Sequence, residues 1–147
     1  MFTYTCLGTN NLHRAARFYD AALAPLGIHR CGGSSVSETG AGDMLGWGSY
    51  DEDGKRERAL WLCQPFDGQP ATAGNGTMVA LAANSWEQVE AFYTQALLHG
   101  GSSEGMPWLR PQYGPDFYAA YVRDPDGNKL AAVCRGFTRR EQDPSGT

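Results

Sequence analysis

The sequence predicts an α+β fold built of two tandem β-α-β-β-β modules. Three observations carry that prediction: a helix-like segment that occurs twice, an alternating run ahead of each copy, and a D-x-D-G turn late in each half. The chain has 147 residues, a usual size for one compact domain. Its 41% hydrophobic and 19% charged residues suit a globular protein with a buried core. A net charge of −4 leaves no excess of Lys and Arg for a phosphate backbone, so nucleic acid is not expected as a partner. No apolar run reaches membrane-spanning length, and MFTYTCLG lacks the basic and apolar regions of a signal peptide, so no membrane partner and a cytoplasmic address are expected.

The duplication fixes the order of elements. NLHRAARFYDAALAPLG from Asn11 aligns with SWEQVEAFYTQALLHGG from Ser85 at an offset of 74, matching Phe18 to Phe92, Tyr19 to Tyr93, Leu23 to Leu97 and Gly27 to Gly101. The same offset matches Tyr4 to Met78 and Leu7 to Leu81 in the alternating runs upstream. In the first half, FTYTCLGT predicts a strand. Asn10 and Asn11 are good N-caps for a helix from Leu12 to about Leu23, which Pro25 and Gly27 stop. In the second half TMVALAA predicts the strand, and Ser85 with Gln88 forms a capping-box pattern for a helix from about Trp86 to Leu98. Segments rich in β-formers follow: about 28–31, 44–50 and 60–63, then about 101–104, 117–123 and 130–134. The turns at Asp51 and Asp124 join the last two strands of each half as hairpins.

Module one thus covers about 1–64, a Pro- and Gly-rich crossover about 65–76, and module two about 77–137, together one domain over 1–137. The polar tail, 138–147, is expected to fray. The four cysteines are dispersed without a C-x-x-C and are expected to be reduced structural thiols. His13, His29 and His99 lie around the helix ends with no second ligand at metal-binding spacing. Asp51, Glu52 and Asp53 form the densest carboxylate cluster, in a position where a solvated turn is the ordinary meaning.

The helix LHRAARFYDAALAPLG, the crossover PATAGNG and the segment RPQYGPDFYAAYVRDPDGNKLAAV, in register with the duplication, resemble the glyoxalase-like branch of the vicinal oxygen chelate superfamily. That superfamily includes glyoxalase I, bleomycin resistance proteins and extradiol dioxygenases. The resemblance implies that the modules curve their mixed sheet around a cavity, that a divalent metal usually sits there as a Lewis acid, and that modules often pair across two chains in a homodimer.

Carried over residue by residue, the four ligand positions fall on Tyr4, Met78, Ala131 and, as the module-one counterpart of Ala131, Trp61. A phenol with a pKa of about 10, a thioether, a methyl and an indole do not make a site for Mg, Mn, Fe or Zn. No metal and no other cofactor is therefore expected. Strand alternation sends Tyr4, Cys6, Trp61, Cys63, Met78 and Ala131 to the cavity face, with Ala80 and Val133, while Leu7, Leu60, Leu62, Val79 and Leu81 face the helices. Trp47, Tyr50, Trp108 and Tyr113 are candidates to extend the cavity, and Arg110 to anchor a carboxylate or phosphate.

The function this supports is binding of an apolar or aromatic small molecule without the usual metal. The alternative is a glyoxalase-like lyase or dioxygenase-type enzyme with a displaced metal or none, in which Tyr4 would act as an acid and Cys6 or Cys63 as a nucleophile. No base that would activate them is visible, and no catalytic residue is assigned. A third possibility is a vestigial cavity filled by Tyr4, Trp61 and Met78.

Overall fold

A computed structural model describes residues 1–33 and 43–137. The elements run β1 (Tyr4–Gly8), α1 (Leu12–Leu23), a 3-10 turn (Ala24–Leu26), β2 (His29–Gly33), β3 (Met44–Tyr50), β4 (Glu57–Cys63), β5 (Val79–Ala82), α2 (Trp86–Leu98), β6 (Ser102–Leu109), β7 (Tyr118–Arg123) and β8 (Lys129–Cys134). They form two four-stranded mixed sheets of identical plan, β1-β4-β3-β2 and β5-β8-β7-β6, with the first strand of each module parallel to the last. Among the described residues the two sheets remain separate and neither closes into a barrel. The expected fraying of the tail concerns residues outside those described.

Both helices begin where their caps dictate. Asn11 Oδ1 accepts from the Arg14 amide at 2.9 Å, satisfying one of the free donors of the first turn. Asn10, also a candidate cap, instead exchanges two hydrogen bonds with the Ala71 backbone and ties the crossover down. Ser85 Oγ accepts from Gln88 N, but the Gln88 side chain reaches past Ser85 to the Asn84 amide, one residue outside a strict capping box. Gly27, at φ 72°, ends the first helical segment in the left-handed region that glycine enters without penalty. The histidines stay exposed: His13 in the first turn of α1, His29 opening β2 and His99 capping α2.

Alternation sorts the side chains as expected. Leu60 and Leu62 of β4 and Leu130 and Ala132 of β8 enter one core with Phe18, Tyr19, Val89 and Phe92 from the helices, and Leu7, Val79 and Leu81 pack against it. This core lies on the helix side of both sheets, so the other face of each sheet looks away from it. The strand ladders also confirm a correspondence drawn from the duplication. Cys6 pairs with Trp61 in β1–β4, and Ala80, at the repeat offset from Cys6, pairs with Ala131 in β5–β8. Trp61 and Ala131 therefore occupy the same rung.

Two boundaries differ from the sequence expectation. β4 starts at Glu57 rather than near Leu60, because the turn around Asp51 is tight: its Oδ1 accepts from the amides of Lys55 and Arg56. β6 runs to Leu109 rather than stopping near Glu104. It is an edge strand, where Pro107 costs no ladder hydrogen bond, and its register with β7 shifts twice between Ser103 and Trp108.

The turn at Asp124 does more than join β7 to β8. Asp124 Oδ1 accepts from the amides of Asp126 and Asn128, while Oδ2 accepts from Tyr19 of α1 at 2.7 Å. Asn128 Nδ2 donates to Gly8 O at the end of β1. The second module's hairpin is thus fastened to the first module's strand and helix, which fixes how the two open faces stand on one body.

Candidate functional site

The open face of module one is built on β1 and β4. Tyr4, Cys6, Trp61 and Cys63 share it, as alternation requires, and Tyr4 is 57% exposed. The Trp61 indole lies against Gly46 of β3. A Cβ added at Gly46 would stand 2.8 Å from Trp61 Cε3, so only glycine lets the ring approach the sheet this closely. The indole N–H donates to Glu57 Oε1, which Tyr50 also reaches with its hydroxyl at 3.2 Å. Cys6 and Cys63, two rungs apart on the same face, bring their sulfurs to 3.3 Å. All four cysteines are free thiols, but Cys6 is exposed and only Cys134 is fully buried. Partial burial, together with the hydrogen bond and charge of Cys63, pushes the Cys6 thiol up to about 11.

The open face of module two holds a concavity of about 680 Å³. Phe117, Tyr121, Met78, Arg110 and Tyr113 line it, and the first two pack against a buried cluster of Ala119, Ala131 and Val133. The guanidinium of Arg110 lies 5.4 Å from the Tyr121 ring centroid and the ammonium of Lys129 5.6 Å. Arg135 lies 5.3 Å from the Phe117 ring. Burial raises the Tyr121 hydroxyl above its ordinary range despite the opposing charge of Arg110.

The candidate residues named from the sequence do not meet at one point in the chain. Cys6, Trp61 and Cys63 cluster on module one's open face, and Met78, Arg110, Tyr113 and Ala131 on module two's. Tyr4 borders a separate cleft of about 670 Å³, whose lining includes Leu26, Ala80 and Leu81. Trp108 stands on edge strand β6, 66% exposed. Trp47 is 1% exposed and belongs to the core, where its N–H donates to Asp20 of α1 and its ring packs on Tyr19. It shares the helix-side face of β3 with Leu45, while Gly46 between them takes the open face. Hydrogen bonds from Arg30 and Trp47 outweigh the desolvation of Asp20 and hold its carboxyl below its ordinary range.

Phe117, Tyr121, Lys129 and Arg135 were not singled out from the sequence, although the signal is present. Lys129 and Arg135 continue the two-residue alternation of Ala131 and Val133, and the Asp124 turn sets Tyr121 opposite Ala131.

A model of the Glyoxalase/Bleomycin resistance protein/Dioxygenase superfamily matches residues 2–132. The chain belongs to that superfamily. Among solved structures, it is similar to a glyoxalase/bleomycin resistance protein from Albidiferax ferrireducens T118, at 36% identity over 92% of this chain and 99% of that one, with a TM-score of 0.74. A putative glyoxalase from Bacillus halodurans shares the fold at 19% identity, covering 92% and 96% of the two chains with a TM-score of 0.66. Glyoxalase I from Zea mays matches at 24% identity over 90% of this chain with a TM-score of 0.61; the match spans 45% of the maize chain. No match was found among curated proteins.

The divalent metal that this superfamily implies does not fit the residues at the four corresponding positions. Tyr4 offers a phenol, Met78 a thioether, Ala131 a buried methyl, and Trp61 an indole nitrogen that donates and cannot accept. The carboxylates nearest these faces are engaged: Glu57 accepts from Trp61 and Tyr50, and Glu104 pairs with Arg123 at 2.7 Å. Among the described residues no group of three or more His, Cys, Asp or Glu side chains stands where it could hold an ion. No helix is long and apolar enough to cross a membrane.

Proposed function

We propose that this superfamily member binds an apolar or aromatic small molecule on its open sheet faces without the metal that the family usually employs. The observation that carries the reading is the module-two concavity. Tyr121, Phe117, Tyr113 and Met78 line it, the first two packed against a buried cluster of Ala119, Ala131 and Val133, and Ala131 stands where a ligand carboxylate would be expected. Aromatic rings in the wall of a concavity suit a planar apolar molecule. The similarity to a glyoxalase/bleomycin resistance protein over nearly the whole chain supports a role in small-molecule binding.

A second copy of the chain completes the site in this reading. Within one chain the helices are spent on a shared core, and each open face leaves large apolar side chains in solvent, Tyr4 and Met78 among them. Such patches mark surfaces that are covered in use. Module one of one copy facing module two of another would bring the Tyr4 and Trp61 face to the Met78 and Ala131 face. The proposed setting is a cytoplasmic homodimer.

The test is titration of the purified protein with a panel of planar compounds of graded size, followed by tryptophan fluorescence, with light scattering for the mass in solution. Saturable quenching and a dimer mass are expected. A flat response across the panel would contradict the binding reading.

A further inference from the structure

We infer that the module-two concavity selects a planar aromatic carboxylate; this rests on the binding reading above and narrows its ligand. Four charged side chains line the concavity, and three of them, Arg110, Lys129 and Arg135, are cations. The fourth, Glu104, is already neutralised by Arg123 at 2.7 Å. Arg110 and Lys129 thus place positive charge on one concave surface of a chain of net charge −4, and a cleft of one sign attracts ligands of the other.

The placement follows from the backbone. Lys129, Ala131, Val133 and Arg135 alternate onto one face of β8 and its continuation, so the two cations stand on either side of the buried Ala131 and Val133. Arg110 enters from the loop after β6 because Gly105 makes room: a Cβ there would stand 3.0 Å from Tyr121 Cδ2 and 3.2 Å from Arg110 Nη2. Nη2 donates to Met106 O at 2.7 Å, which fixes the guanidinium, while the buried Nε has no hydrogen-bond partner in the structure. A guanidinium anchored at one nitrogen retains the paired N–H geometry that matches the two oxygens of a carboxylate. Tyr121 and Phe117 lie close to these cations and give the concavity aromatic walls that a ligand ring contacts. Charge, fork and planes together specify an aryl carboxylate over a neutral or cationic ring.

Calorimetric titration of the full chain with 2-naphthoate, 2-naphthamide and 2-naphthylmethylamine separates the terms. Naphthoate should bind at least about tenfold more tightly than the amide, and the amine most weakly. The preference should shrink as salt is raised, since screening weakens partly exposed charges. Arg110→Gln should bring naphthoate and naphthamide to within about threefold of each other, with folding checked by the unfolding midpoint. Lys129→Gln, a milder change, should narrow the gap in the same direction and serves if the first variant does not fold. Equal affinity for acid and amide, a preference for the amine, or a naphthoate preference unchanged in both variants would overturn the inference while leaving aromatic binding intact. Failure of all three compounds to bind would overturn both.

Discussion

Asp126, in the second module's hairpin turn, accepts a charge-assisted hydrogen bond from Arg14 of the first module's helix at 2.9 Å, with the Asp126 side chain only 1% exposed. The same carboxylate accepts from Thr9 Oγ1 at 2.6 Å and from the Asn10 amide at 2.9 Å. One buried acid therefore meets three donors across the junction, beside the Tyr19–Asp124 hydrogen bond. A separation of more than a hundred residues is closed by polar groups rather than by apolar packing alone.

Asp126→Ala should therefore destabilise the fold by about 2–3 kcal/mol, the range for losing hydrogen bonds to a buried charged acceptor, kept modest because Arg14 remains 43% exposed and can hydrate. Urea unfolding measures it. A loss within about 0.5 kcal/mol, typical of a neutral surface change, would mean the junction is held elsewhere.

At Gly46 the prediction concerns the module-one face. Gly46→Ala places a methyl 2.8 Å from the Trp61 indole, inside the packing limit, so the ring must swing off the sheet and release Glu57. The cost is about 1–3 kcal/mol, as for other overpacked sites. An unchanged tryptophan emission spectrum would show that the ring does not rest there.

The Cys6 thiol gives a pH prediction. Its folded value of about 11 lies above the ordinary 9.0, so the thiolate is disfavoured in the folded state. The corresponding stabilisation is complete below the unfolded value and is lost as pH rises from about 9 to about 11. Alkylation of Cys6 by iodoacetamide should be slow at pH 8 and climb steeply toward pH 11, and Cys63→Ala should shift the profile to lower pH. A profile centred near that of a free thiol would remove the Cys6–Cys63 interaction from the account.

Restoring ligands is the constructive test. Tyr4→His, Met78→His and Ala131→Glu together should give a protein that retains nickel or zinc after desalting, where the parent chain does not, because imidazole and carboxylate supply what phenol, thioether and methyl lack. Elemental analysis reads the result. No retained metal in a folded variant would mean that these positions do not converge in the assembled protein.

Much of the fold was legible because its signals are local. Both helices begin and end where the sequence places them, since Asn11, Ser85 and Gly27 act on their own neighbourhoods. β6 extends past the expected end near Glu104 because an edge strand tolerates Gly105 and Pro107. Trp47 departs from its expected place in the cavity because aromatic composition does not reveal which face a residue takes. Counting from Gly46, which must face Trp61, would have turned Trp47 inward. The roles of Asp124 and Asp126 were not legible at all. A D-x-D-G turn looks the same whether its carboxylates hold only their own loop, as Asp51 does, or reach the other module. Lys129 and Arg135 lay one alternation step beyond residues already placed on the open face.

The central claim, aromatic binding without the family's metal, is tested most directly on one chelator-treated sample. Metal content after incubation with nickel, zinc, manganese and iron is measured first, and naphthoate affinity before and after the metals second. No stoichiometric metal and the same affinity in both states are expected. One tightly held metal per site, or binding that appears only once metal is added, would contradict it.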